Sequence, residues 1–142
     1  MKYWEPELPF LIDLLSIVNL KSVILGANNE VKKKRYEEEA TELEALIDKK
    51  MKKVKVKDYG KLIRAIQVNM LANRLIWENE TKAREGGRSQ DHLLPFTHAV
   101  NGMRTRAGNA MVNQTGGKVD MNLDRVDEKL CESYGFNFRG LL

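Results

Sequence analysis

The chain has 142 residues, 42% of them hydrophobic and 31% charged, a balance that excludes a disordered polymer and suits one domain burying roughly 68% of its unfolded surface. A formal net charge of +4 is too mild for a dedicated nucleic-acid binder, so it permits an anionic partner without requiring one. The single cysteine, Cys131, excludes an internal disulfide and a multi-cysteine metal site, and matches a reducing, cytoplasmic setting.

The first predicted helix lies in LPFLIDLLSIVNLKSVILGA, from Leu8 to Ala27. Asp13, Asn19 and Lys21 inside it are expensive at bilayer depth, which argues against a membrane role, and the segment lacks the basic start and cleavage site of a signal peptide. Leu8, Leu11, Leu15, Val18, Ser22 and Leu25 make one seam, while Ile12, Leu14, Ile17 and Ile24 make a second apolar face. A helix apolar on most sides is either the centre of a bundle or part of a subunit contact. The extent of these faces favours a homo-oligomer, a dimer first. Gly26 supplies a stop, and Asn28-Asn29 a cap for the next helix.

The second helix, over Glu30 to Met51, carries the seam Tyr36, Ala40, Leu43 and Ile47 on a heavily charged surface. It ends in the run KKMKKVKVK at 49–57, where basic residues suit the helix dipole. No aromatic residue interleaves with those lysines before Tyr59, so the stacking platforms of single-strand nucleic-acid binders are missing. Asp58 caps a third helix to about Glu85, broken by Gly86-Gly87, and a fourth starts near Leu94 or Pro95 and runs to about Asn113. A shorter fifth helix is expected from Leu123 to Ser133, with Phe136 and Phe138 of the tail partly packed. These elements predict an all-α fold: a single helical domain, a bundle of four principal helices plus a shorter C-terminal one.

One stripe changes character along the third helix, passing from Ile63, Ile66 and Met70 to Asn73, Trp77, Glu80 and Arg84. The fourth helix answers with an apolar row, Phe96, Val100, Met103, Ala107 and Ala110, beside a polar one, Thr97, Asn101, Arg104 and Gly108, with His98 close by. Gly102 and Gly108 each cost about 1 kcal/mol in a helix interior, and one compensating gain is close approach by a backbone or a ligand. If the two helices pack antiparallel, Asn73, Trp77, Glu80 and Arg84 share a pocket with His98, Asn101 and Arg104. Two arginine forks for phosphate or carboxylate, a tryptophan face for a ring and asparagines with paired donors and acceptors suit an anionic small molecule such as a nucleotide or sugar phosphate. The expected function is non-catalytic binding of such a ligand, with no cofactor and no metal. The alternative is a structural or protein-interaction module whose polar seam specifies oligomer assembly, with Arg104 paired to Glu80 across the helix interface.

Enzymatic signatures are thin. Glu38 or Glu39 with Glu42 has the spacing to share a magnesium ion, which would make a third reading, a magnesium-dependent nucleotide hydrolase. The second carboxylate pair this needs is not matched by ENE at 78–80. Zinc, serine-hydrolase and phosphate-loop patterns do not occur.

LIDLLSIVNLK at 11–21 and LIWENETKAR at 75–84 resemble small helical proteins found beside bacterial surface-carbohydrate genes and in phage genomes, whose patterns read LIDxL[ST]IxNxK, LWxxExxxR and NxxR. The matching residues are Leu11, Ile12, Asp13, Ser16, Ile17, Asn19 and Lys21, then Trp77, Glu80 and Arg84, then Asn101 and Arg104; Ile76 stands where that family usually has leucine. The resemblance implies a helical fold and adds Asn19 and Lys21 to the polar stripe. A phage accessory protein that captures a nucleotide-like signal would fit it.

Overall fold

The computed structural model describes residues 6–84, 90–117, 129, 132, 137 and 141–142, with side chains at all of these except 83, 84 and 90–96. Its regular structure is four α-helices: α1 (Leu8–Ile24), α2 (Glu30–Met51), α3 (Tyr59–Arg84) and α4 (Gln90–Thr115). Most of the expected fifth helix lies outside the described residues.

Local chemistry sets the ends of these helices. Pro9 in the first turn of α1 forgoes an N–H that would have no intrahelical partner there. Asn29 Oδ1 accepts from Lys32 N at 3.0 Å to cap α2, and Asp58 Oδ1 accepts from Lys61 N at 3.0 Å to cap α3. Gly116 and Gly117, both at positive φ, end α4 in a conformation that side chains with a Cβ resist. α4 begins at Gln90, more than a turn before Pro95, where the sequence suggested a start. A proline this near a helix start removes one early hydrogen bond and leaves the rest of the ladder intact.

α3 and α4 form an antiparallel hairpin. Asn79 Nδ2 donates to Thr97 Oγ1 at 2.7 Å near the connection, and at the other end Lys57 N donates to Gln114 O at 3.0 Å. Between them Val68, Ala72 and Leu75 meet Ala99, Val100, Met103 and Ala107, with Leu141 packed against the same cluster. α1 touches all three other helices, whereas α2 makes helix-to-helix contact with α1 alone. The bundle is therefore a hairpin, a helix packed against it and a fourth helix carried by that one. The α1–α2 layer is closed by Leu11, Val18, Tyr36 and Leu43, with Ala40 and Ile47 beside them, the seam expected of α2. Each such side chain contributes about 1.5–3 kcal/mol by leaving water. No helix among the described residues is long and apolar enough to cross a membrane.

The turn between α1 and α2 depends on Gly26. A Cβ there would lie 2.3 Å from Ser22 O and 2.9 Å from Lys33 Cβ, so the two helices meet too closely for any side chain. Gly26→Ala is expected to lower stability by about 1–3 kcal/mol, the range for overpacked sites, and a shift in the urea midpoint measures it. An unchanged midpoint would mean that the turn can open at no cost.

Candidate functional site

α1 is almost wholly apolar, and Asp13 stands in the middle of it. A charged group in such a helix has to find partners, because a buried unpaired carboxylate costs several kcal/mol. Asp13 finds them on two other helices. From α4, Arg104 Nε donates to Oδ1 at 3.0 Å and Arg104 Nη2 donates to Oδ2, a fork gripping both carboxylate oxygens. From α3, Asn69 Nδ2 and Asn73 Nδ2 donate to Oδ1 at 3.0 and 2.9 Å. Their spacing of four puts both amides on the face of α3 turned to α1.

The network continues through neutral groups. Asn73 Nδ2 also lies 3.0 Å from Ser16 Oγ and 3.4 Å from Asn69 Oδ1, so its two hydrogens face three acceptors. Ser16 Oγ in turn donates to Met70 Sδ at 2.9 Å. Asn69 and Asn73 are buried, while the side chains of Asp13 and Arg104 keep 19% and 27% exposure. Burial pushes the Asp13 carboxyl up, but hydrogen bonds from Arg104, Asn73 and Asn69 and the Arg104 charge outweigh it and hold the group below its ordinary value.

Beside this network opens a cavity of about 350 Å³. Glu7, Phe10 and Asp13 line it from the start of α1, and Asn101, Arg104, Thr105, Gly108 and Asn109 line it from α4. Phe10 is 50% exposed, an aromatic face beside polar groups. Arg104 has spent Nε and one Nη2 hydrogen on Asp13, and Nη1 reaches Asn101 Oδ1 at 3.5 Å, which leaves donors on the guanidinium edge turned away from Asp13. A Cβ on Gly108 would meet nothing within 4 Å, so this glycine leaves space rather than admitting another backbone.

Of the stripe read from the sequence, Asn73, Asn101 and Arg104 come together here. The other residues do not join them. Trp77 is half-buried, Glu80, His98 and Asn19 are exposed, Lys21 is half-buried, and none of these lines the cavity. The side chain of Arg84 lies outside the described residues. Arg104 pairs with Asp13, and not with Glu80 as the alternative, assembly reading had it. Asp13, Ser16 and Asn69 were missed as site residues, although a lone acid in an apolar helix is itself a signal that a cation waits on a neighbour. Among the described residues no three His, Cys, Asp or Glu side chains gather where they could hold a metal ion.

Comparison of the chain with known protein families, with curated proteins and with solved structures found no match.

The ion pair makes stability depend on pH with a definite sign. A carboxylate held below its unfolded value contributes stability that is present above that value, near 3.8, and is lost as pH falls through the lower native one. Melting temperature should therefore fall on acidification below about pH 4, and Asp13→Asn should flatten that dependence. At neutral pH, Arg104→Gln strands the carboxylate and should cost about 2–4 kcal/mol, while Glu80→Gln at its exposed site should stay within about 0.5 kcal/mol. Equal losses in the two variants would contradict the pairing.

Proposed function

We propose that the protein is a non-catalytic binding protein for a small hydroxyl-rich ligand with a single acidic group, of the sugar-phosphate type, held in the cavity beside Asp13 and Arg104. The observation that carries this reading is the composition of that cavity. Planar amides, a carboxylate and a guanidinium edge supply paired donors and acceptors matched to neighbouring hydroxyls, and the half-exposed ring of Phe10 gives the apolar face of a sugar somewhere to rest. The free edge of Arg104 suits one phosphate or carboxylate oxygen pair.

Charge and size narrow the class. Among the described residues Glu7 and Asp13 share the cavity with Arg104 as the one cation, a balance that disfavours a triphosphate. A volume of about 350 Å³ is near the small end of ligand pockets, which favours a monosaccharide phosphate over a larger nucleotide. Trp77, which the sequence offered as a platform for a base, does not line the cavity.

A structural or interaction module is the second reading, and one observation favours it: Arg104 already has an acidic partner within the chain. Two substitutions at Gly108 separate the readings. Gly108→Ala should stabilise the chain by about 0.5–1 kcal/mol through helix propensity, since its methyl meets open space. Gly108→Leu should fold as well and fill the cavity. In a thermal-shift screen of sugar phosphates, neutral sugars and mononucleotides, a ligand at 100 times its Kd adds about 2.7 kcal/mol. The expected result is a shift with a sugar phosphate that Gly108→Leu abolishes. A screen with no shift, or a shift that survives Gly108→Leu, would return the cavity to the module reading, and turnover of a nucleoside triphosphate with magnesium would replace both.

A further inference from the structure

The solvent side of α3 is built differently from that of α2. α2 mixes seven acidic residues with six basic ones along its exposed surface, as a helix facing only water does. Between Asp58 and Glu78 the chain carries no acidic residue, and its charged groups there are Lys61, Arg64 and Arg74. Tyr59, Ile63, Gln67 and Leu71 follow in steps of four, a row that stays on one side of the helix. Tyr59, Ile63 and Leu71 in that row are 67%, 55% and 47% exposed. Packing on the neighbouring helices uses other residues of α3, Val68, Ala72 and Leu75 towards α4 and Asn69 and Asn73 towards α1.

The segment leading into α3 brings more positive charge to the same end. Exposed Lys53, Lys55 and Lys57 alternate with half-buried Val54 and buried Val56, and both valines pack into the cluster of Leu8, Leu62 and Met111. Val54 N donates to Met51 O at 3.3 Å and Lys57 N to Gln114 O at 3.0 Å, so these lysines project from a backbone that is tied down. Asp58 is the one acid among them, and its Oδ1 is engaged by Lys61 N. Arg74 is paired with Glu78. Among the described residues no carboxylate pairs with Lys53, Lys55, Lys57, Lys61 or Arg64.

We infer that this face of α3 docks on an anionic lipid bilayer, with Tyr59, Ile63 and Leu71 entering the headgroup boundary while Lys55, Lys57, Lys61 and Arg64 meet the negative headgroups. A helix side that joins apolar groups to unpaired cations and lacks acids is what an interface-lying helix presents, and its charge is the complement of an anionic leaflet. The side of a helix is convex, which suits a broad yielding surface. A nucleic-acid strand would use the cations and Tyr59 but would gain nothing from Ile63 or Leu71. Spanning is a different matter: Asp13, Asn19 and Lys21 are expensive in the bilayer core, whereas a helix lying on the surface keeps its polar sides in water. None of the docking residues lines the sugar-phosphate cavity.

Co-sedimentation tests it with vesicles of phosphatidylcholine alone and of phosphatidylcholine with about 30% phosphatidylserine. Partition onto the mixed vesicles and little onto the neutral ones is expected, with the difference shrinking as salt rises. A cation at an anionic surface strengthens partition about fivefold, so Lys61→Glu with Arg64→Glu should weaken it at least about tenfold. Lys32→Glu with Lys34→Glu on α2 changes the net charge equally and should stay within about threefold of the parent. Ile63→Ser with Leu71→Ser should weaken partition about tenfold by removing the apolar part. All six positions are exposed, so the variants should melt as the parent does. No partition at about 1 mM lipid would overturn the inference. Equal losses in the two charge-reversed pairs would overturn it by reducing binding to net charge, and indifference to the serine pair would do so by leaving a plain basic patch. Tighter capture of a single-stranded oligonucleotide or an acidic peptide than of the mixed vesicles, lost with Lys61→Glu and Arg64→Glu, would give the face to another polyanion and overturn it as well.

Discussion

The arrangement depends on where one carboxylate goes. Asp13 is the only charged residue in α1 before Lys21, and the grip of Arg104 on both of its oxygens fixes α1 against α4 in position and in rotation. The two asparagines of α3 add a second axis to the same atom. A shift of α1 by one residue would turn the carboxylate about 100° away from all of these donors and leave it among apolar side chains. Hydrophobic faces alone tolerate such slips, since α1 is apolar on most of its circumference and one leucine can replace another. Polar partners cannot be exchanged in that way. α2 inherits the constraint, because α1 is the one helix it packs on directly.

This anchoring also makes the cavity what it is. The recess lies between α1 and α4, and it is walled by groups that the ion pair holds still. Asp13 and Arg104 cannot rotate away from it without breaking the junction, so their exposed edges are pre-organised, and a ligand using them would not have to order them on binding. The same arrangement limits the ligand. A strong anion competing for Arg104 would weaken the pair that holds α1, so binding energy would be spent against folding energy. Groups that use only the remaining guanidinium edge would avoid that conflict.

The helices were legible because their signals are local. Asn29 and Asp58 cap, Gly26 and the Gly116-Gly117 pair terminate, and the α2 seam at Tyr36, Ala40, Leu43 and Ile47 repeats at helical spacing. Pro95 misled because proline most often marks a first turn, whereas here it stands in the second, where the helix forgoes one hydrogen bond. The site was legible only in part, for a geometric reason. Asn73, Asn101 and Arg104 stand out as polar residues on apolar stripes, and such residues were correctly expected to meet. Their meeting point lies on a third helix, and the placement of α1 against the hairpin is decided by tertiary packing, which no spacing within α3 or α4 encodes. Glu80 was the wrong acid for the same reason. It shares the stripe of Asn73 in projection, but it sits nearly two turns further along α3 and faces water.

Charge is distributed unevenly along the chain. The stretch from Asp48 to Arg64, with eight basic and two acidic residues, carries +6, which leaves −2 for the rest of a chain whose total is +4. In the cavity, Glu7 and Asp13 face Arg104 among the described lining residues, so under the proposed reading a ligand with one acidic group would meet less repulsion than a multiply charged one, and net charge would count for as much as shape in choosing what enters.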